Sequence, residues 1–354
     1  MAYSTISKPG LHFNTKLYSG SNGTQNVTGV GFQPDFTWLK CRSSAYHHRL
    51  FDVVRGVNKN WRSNSTDVEQ DIAEGVTAFA SDGYSVTQGA NLEYNASGQT
   101  YVSWNWKADN TSGSSNSNGS ITSTVSANTV AGFSIVSYTG NATNSASFGH
   151  GLGVKPKIVF IKNRSTAKNP VWWQDTTNNG TSDIRLVLSS GSGSNLNNYH
   201  VTFGTDTITL GNTDDAWNKS GDNLIAYCFA EKKGYSKFGR YIGNGNANGT
   251  FVYTGFKPAF ILQRRYSSGE SWHIFDSARD TFNVDAGRDD ALRPNLTNAE
   301  ITNWGVGFDF LSNGFKARAT DGAINQSGGD YLYMAFAQEP LVANVGGSIP
   351  ATAE

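Results

Sequence analysis

The sequence predicts an all-β chain of three tandem antiparallel modules, β-sandwich or jelly-roll-like, related by internal repeat. Three observations carry that expectation. A turn followed by an apolar run is written three times, from Gly31 through Pro34 to Trp38, from Gly153 through Pro156 to Phe160, and from Gly255 through Pro258 to Leu262. Landmarks on both sides of that run keep register. Strand-length alternation with turn signals recurs along the chain, and no long helical pattern interrupts it.

Proline fixes φ and lacks an N–H, so it belongs at the first residue of a strand or just before it. A Tyr-x-Gly turn precedes each proline: Tyr18 stands 16 residues before Pro34, Tyr138 stands 18 before Pro156, and Tyr241 stands 17 before Pro258. A Ser-Gly turn follows, with Gly98 64 residues after Pro34, Gly221 65 after Pro156, and Gly328 70 after Pro258. Apolar residues then fall 3, 6 and 8 positions beyond each glycine, as Tyr101/Trp104/Trp106, Leu224/Tyr227/Phe229 and Tyr331/Met334/Phe336. A repeat of this period is sought before any other feature because it decides the fold. The boundaries it implies are 1–109 for a lead-in plus the first repeat, 110–233 for a linker plus the second, 234–340 for the third, and 341–354 for a tail.

Taken in order, Phe13 to Tyr18 opens the first repeat. Phe36 to Lys40 and Tyr101 to Trp106 alternate as strands with one wet face. Asp67 to Glu74 is polar enough for a loop or one helical turn. Asn110 to Asn118 is a Ser/Asn/Gly run and the clearest linker. Ile121 to Val125 and Gly132 to Tyr138 open the second repeat, which carries a flexible loop at Ser189 to Asn195. The third follows at Gly234 with almost no linker, so the second and third are expected to abut.

Among 354 residues, 28 basic and 28 acidic side chains cancel, which argues against a phosphate-driven nucleic-acid partner. No apolar run approaches the ~20 residues that span a bilayer, and the first residues do not read as a signal peptide. Two cysteines, Cys41 and Cys228, make no disulfide framework and are expected as buried free thiols.

The titratable clusters point to structure. His47-His48 reads as exposed loop histidines and His150 as a turn histidine bonded to backbone. Asp52/Arg55 recurs as Asp276/Arg279, an Asp accepting backbone N–H bonds with an Arg bracing it, and the second repeat has Gln174-Asp175 without the Arg. Asp285, Asp289 and Asp290, and Asp214-Asp215, read as solvated loops without the spacing of an EF-hand. No catalytic residue, metal or cofactor is assigned. Trp172, Trp173, Trp217, Trp272 and Trp304 are the candidate glycan or host contacts, because an exposed indole stacks on the C–H face of a sugar. Core or inter-module packing is the competing reading for each.

A resemblance rests on an ordered set of stretches: Tyr18 to Gly20, Gly31 to Lys40, His48 to Gly56, Ser81 to Tyr84 and Ser97 to Trp104. Ala131 to Val136 and Gly149 to Leu152 extend it. Together they resemble a β-domain repeated in virion proteins of tailed, often marine, bacteriophages that are described as tail-fibre-like. The resemblance spans roughly residues 10 to 340. It implies a virion structural protein, a tail fibre or receptor-binding appendage, with a capsid decoration, head fibre or other architectural part as the alternative. A polysaccharide depolymerase is the third possibility. The expected partners are copies of the chain itself, with a trimer favoured, other virion proteins, and a host surface glycan or protein. The expected location is the virion.

Overall fold

The computed structural model describes residues 4, 6–177, 184–191, 201–283 and 287–340. Its regular elements are strands, apart from one 3-10 turn at Pro9–Leu11. The chain is all-β, and its sheets are antiparallel and sandwich-like.

Three larger sheets follow one another along the chain. The first has six strands in the order Phe13–Ser19, Thr100–Trp106, Phe36–Cys41, Arg49–Asp52, Lys59–Arg62, Gln70–Asp71. The second has seven: Ser114–Asn116, Ser123–Asn128, Phe133–Thr139, Asn223–Phe229, Ile158–Asn163, Val171–Gln174, Ile184–Val187. The third has four: Ser236–Ile242, Asp330–Pro340, Phe256–Arg265, His273–Asp276. In each, the strand after a Ser-Gly turn lies between the strand bearing the Tyr and the strand at the Pro. Its register places Trp106 opposite Phe36, Phe229 opposite Ile158, and Phe336 opposite Phe260. Pro34 and Pro156 sit just ahead of their strands. Pro258 instead lies inside Phe256–Arg265, where the ladder to Asp330–Pro340 slips register on both sides of it, the irregularity that a residue without an N–H demands.

The landmark tyrosines tie sheet to turn. Tyr18, Tyr138 and Tyr241 donate their hydroxyls to the carbonyls of Tyr94, Trp217 and Ile324, at 2.5, 2.7 and 2.7 Å. Each acceptor lies four residues before Gly98, Gly221 or Gly328, whose φ values of 79°, 78° and 69° suit glycine.

Each larger sheet covers an outer apolar cluster with a three-stranded sheet. Leu39, Cys41, Phe51 and Tyr101 meet Val27, Val76, Tyr84 and Val86. Val159, Ile161 and Trp173 meet Phe148, Phe203 and Ile208, and Ile261, Phe275 and Tyr331 meet Val252, Phe308 and Phe315. The opposite faces of all three larger sheets share one further core. Phe36, Trp104 and Trp106 there join Phe160, Trp172, Tyr227 and Phe229, and Phe260, Leu262 and Phe336. Phe36 lies 4.4 Å from Tyr227 between ring centroids, and Phe13 stacks on Phe336 at 5.0 Å.

That central core overturns the expectation of one wet face. Every residue of Phe36–Cys41 is buried, as is Tyr101–Trp106. The polar positions that looked solvated bond internally instead: Thr37 donates to Asn105 at 3.1 Å, and Lys40 Nζ donates to three carbonyls. The run at 110–118 is likewise no free linker, because Ser114–Asn116 is the edge strand of the seven-stranded sheet. Gln70–Asp71 is a short strand and not a helical turn. The tail 341–354, Asp285 and most of the Ser189 to Asn195 loop lie outside the described residues.

Candidate functional site

Strand alternation sends the tryptophans inward. Trp172 faces the central core and Trp173 the outer one, since neighbours on a strand point to opposite faces. Trp172, Trp173, Trp217 and Trp272 are 0, 0, 1 and 0% exposed. Trp172 packs on Phe160 at 4.4 Å and on Trp272 at 4.9 Å, and Trp173 meets Trp217 edge-on at 4.9 Å. An indole desolvated on both faces has none left for a sugar, so the glycan-contact expectation is corrected for these four. Trp304 is half-buried, stacked on His273 at 5.0 Å with the Arg293 guanidinium 5.5 Å from its ring centroid.

The polar constellation with the most developed geometry lies where the larger sheets meet. Asp52 Oδ1 accepts the Arg55 N–H at 2.8 Å, its Oδ2 is paired with Arg55 Nε, and Arg55 Nη2 donates to the Leu50 carbonyl at 2.8 Å. The remaining donor to Asp52 comes from the seven-stranded sheet: Tyr227 Oη, at 2.7 Å, which itself accepts Trp61 Nε1 at 3.1 Å. Glu69 then receives Arg55 on one side and a two-pronged Arg164 on the other, both prongs 2.9 Å. Burial pulls the Arg55 guanidinium down, yet Asp52, Tyr227 and Glu69 together hold it above its usual range. Burial pushes Glu69 up, and the two arginines more than reverse it.

The contact between the four- and six-stranded sheets repeats this chemistry. Asp276 Oδ1 accepts the Arg279 N–H at 2.9 Å, and Arg279 Nη2 donates to the Ile274 carbonyl at 2.8 Å. The donor from across the junction is Trp104 Nε1, 2.9 Å from Asp276 Oδ2. Glu300 bridges Arg279 at 2.6 Å and Arg42 at 2.7 Å. Beside each bridge a buried lysine reaches the neighbouring segment's backbone, Lys162 to Thr66 at 3.1 Å and Lys40 to Thr297 at 3.2 Å. Burial draws both ammonium groups down to about 8. Asp52/Arg55 and Asp276/Arg279 thus do what their spacing predicts, and they also clamp one sheet to the next.

A family model matches residues 8–340, which takes in every strand of the fold. The chain belongs to the family described as a domain of unknown function, DUF7483. No curated protein and no solved structure matches it.

For this DUF7483 chain the other candidates resolve as follows. His150 is a bonded turn histidine: its Nδ1 accepts the Leu152 N–H at 3.2 Å. His48 is not exposed. It is fully buried, accepts Trp38 Nε1 at 3.0 Å, and burial holds its pKa well below 6.5. Both cysteines are free and buried, and burial pushes the Cys228 thiol up to about 12. Asp280, Asp289 and Asp290 bring carboxylate oxygens within 4.8 Å of one another, but Asp280, Asp289 and Asp290 all accept backbone N–H groups of the same loops.

One set of residues escaped the sequence reading. Asn95, Asn218 and Asn325 are fully buried, three residues before each Ser-Gly glycine. Each accepts a backbone N–H just after a Tyr-x-Gly turn, from Ser21, Asn141 and Asn244, all at 3.0 Å. Their amides donate back into the same loop, to Gly23, Thr143 and Asn246 carbonyls. The identical spacing was the available signal.

Proposed function

We propose that this DUF7483 protein is a non-enzymatic architectural component of a tailed-phage virion, and that its chain is three copies of one β unit closed around a shared core. The copies are 1–109, 110–233 and 234–340. The carrying observation is the cyclic sense of the junctions. Asp52 of the first copy takes its donor from Tyr227 of the second, and Asp276 of the third takes its donor from Trp104 of the first. The corresponding Gln174 of the second copy donates to the Gly239 carbonyl of the third at 3.1 Å. Trp104, Tyr227 and Met334 stand six residues after their Ser-Gly glycines. A carboxylate occurs where that residue carries a donor, and an amide where it is Met334.

On this reading the acidic and basic groups that could have suggested catalysis hold sheets together, which disfavours a depolymerase. The aromatic surface that a homotrimer would bury is already enclosed within one chain, so the protein is a monomer with internal threefold form and its partners are other virion proteins. The resemblance to phage virion domains supplies the location. Immunogold electron microscopy on particles of the encoding phage tests it, and sedimentation tests the monomer. Label on the particle with a monomeric mass supports the reading; unlabelled particles would sink it. The receptor-binding appendage stays as a second reading, favoured by a lysine-lined hollow where the second and third copies join.

A further inference from the structure

Charge is even over the whole chain but not locally. Five of its fifteen lysines, Lys155, Lys157, Lys232, Lys233 and Lys237, line two adjoining hollows of about 290 and 520 Å³ that share Glu231. Only two carboxylates, Glu231 and Asp175, lie among them. Glu231 is held in place: Oε1 accepts the Phe238 N–H at 2.8 Å, while Oε2 lies 3.2 Å from Lys237 Nζ and 3.9 Å from Lys157 Nζ. One carboxylate oxygen therefore gathers two ammonium groups, and Asp175 is buried with Oδ1 accepting the Thr177 N–H at 3.1 Å. Lys155 and Lys233 are exposed on either side. Burial lowers the pKa of Lys232, as expected for a cation set in a concave wall. The rim of the larger hollow carries Tyr253, 54% exposed, with Ser236 and Thr254 beside it.

We propose that this hollow binds a saccharide bearing anionic groups. The surplus ammonium groups match carboxylate, sulfate or phosphate substituents, and the shallow walls focus that positive field. The tyrosine ring offers a sugar a flat apolar face, and the hydroxyls offer hydrogen bonds. An acidic peptide would meet the lysines but leave the ring and hydroxyls without a role. The feature also occurs once. If the chain is three copies of one unit, Lys155 and Lys157 correspond to Gln33 and Asp35 in the first copy, and Lys232 and Lys233 to Asp109 and Asn110. In the third copy the latter pair is Glu339 and Pro340. Divergence at one junction is what a single ligand site per chain requires.

The test is titration of the purified full chain with an oligogalacturonate hexamer, a heparin hexamer, neutral dextran and a hexaglutamate peptide. The proposal expects binding of the anionic sugars, no binding of dextran, and about tenfold weaker binding when salt rises from roughly 50 to 300 mM. Lys155→Gln/Lys233→Gln, which alters exposed loop positions only, should weaken binding about tenfold, and Tyr253→Ala about fivefold. The Lys59→Gln/Lys168→Gln pair, elsewhere on the surface, should leave it unchanged. Preference between the two hexamers tells carboxylate from sulfate recognition. No binding of either sugar, equal loss in both lysine pairs, or hexaglutamate binding that ignores Tyr253→Ala would overturn the proposal, the last in favour of an acidic protein segment. The virion reading is tested on particles and would survive that failure.

Discussion

The junction between the six- and seven-stranded sheets and the junction between the seven- and four-stranded sheets use corresponding positions with different chemistry. At the first, Asp52, Arg55, Glu69 and Arg164 form a buried ionic chain closed by Tyr227. At the second, Gln174 bonds a backbone carbonyl, Trp172 packs on Trp272, and Trp272 and Arg264 donate to the Val187 carbonyl at 3.1 and 3.2 Å. Burial pulls Arg264 down to about 10, a guanidinium held by carbonyls without a carboxylate. A buried ion pair survives only where its remaining donors and acceptors are met, and Tyr227 and Trp104 meet them where Met334 has no polar hydrogen to give. The lesson is that one backbone plan tolerates both solutions, but the ionic one fails harder when a member is removed.

Breaking the ionic junction should have the largest effect. Asp52→Leu strands the buried Arg55 and the Tyr227 hydroxyl, and should cost about 3–5 kcal/mol in urea denaturation. Asp35 sharpens the contrast, since it is a buried carboxylate with N–H donors and no cation. It accepts Ala108 and Asn110 N–H at 2.5 and 3.1 Å where the chain passes to the seven-stranded sheet. Burial raises its pKa from 3.8 to about 6 against those hydrogen bonds. A folded value above the unfolded one means that its contribution is full below about pH 4 and is lost as pH climbs through about 6. Stability measured from pH 4 to 7 should fall by roughly 2–3 kcal/mol through this group, and Asp35→Asn should flatten that slope. Gln174→Leu should be milder, about 1–2 kcal/mol, because it leaves the Gly239 carbonyl and Trp172 N–H unbonded but no charge stranded. A Gln174→Leu cost equal to that of Asp52→Leu would erase the distinction.

Much of the fold was legible because local backbone needs leave local marks. Tyr18, Pro34 and Gly98, with their counterparts, report a tethered strand, a strand entry and a left-handed turn, and each sits as its chemistry requires. The strand at 36–41 was read correctly as a strand and wrongly as half-wet. Its Lys40 is buried by residues near Thr297, more than 250 positions away, and no local pattern carries that information. Trp172 and Trp272 were misjudged for the same reason: each is covered by the other's segment. The Asp/Arg pairs were legible as braces but not as clamps, because Tyr227 and Trp104 enter from other sheets. Asn95, Asn218 and Asn325 were there to be read and were passed over as polar loop residues.

The central claim is that three sheets share one core and therefore one stability. Differential scanning calorimetry of the whole chain tests it most directly. The account predicts a single transition whose calorimetric and van't Hoff enthalpies agree, because no sheet can lose the core around Phe36, Phe160 and Phe260 alone. Two or three resolved transitions, each with the enthalpy of about a hundred residues, would contradict it and return the chain to independent modules on a string.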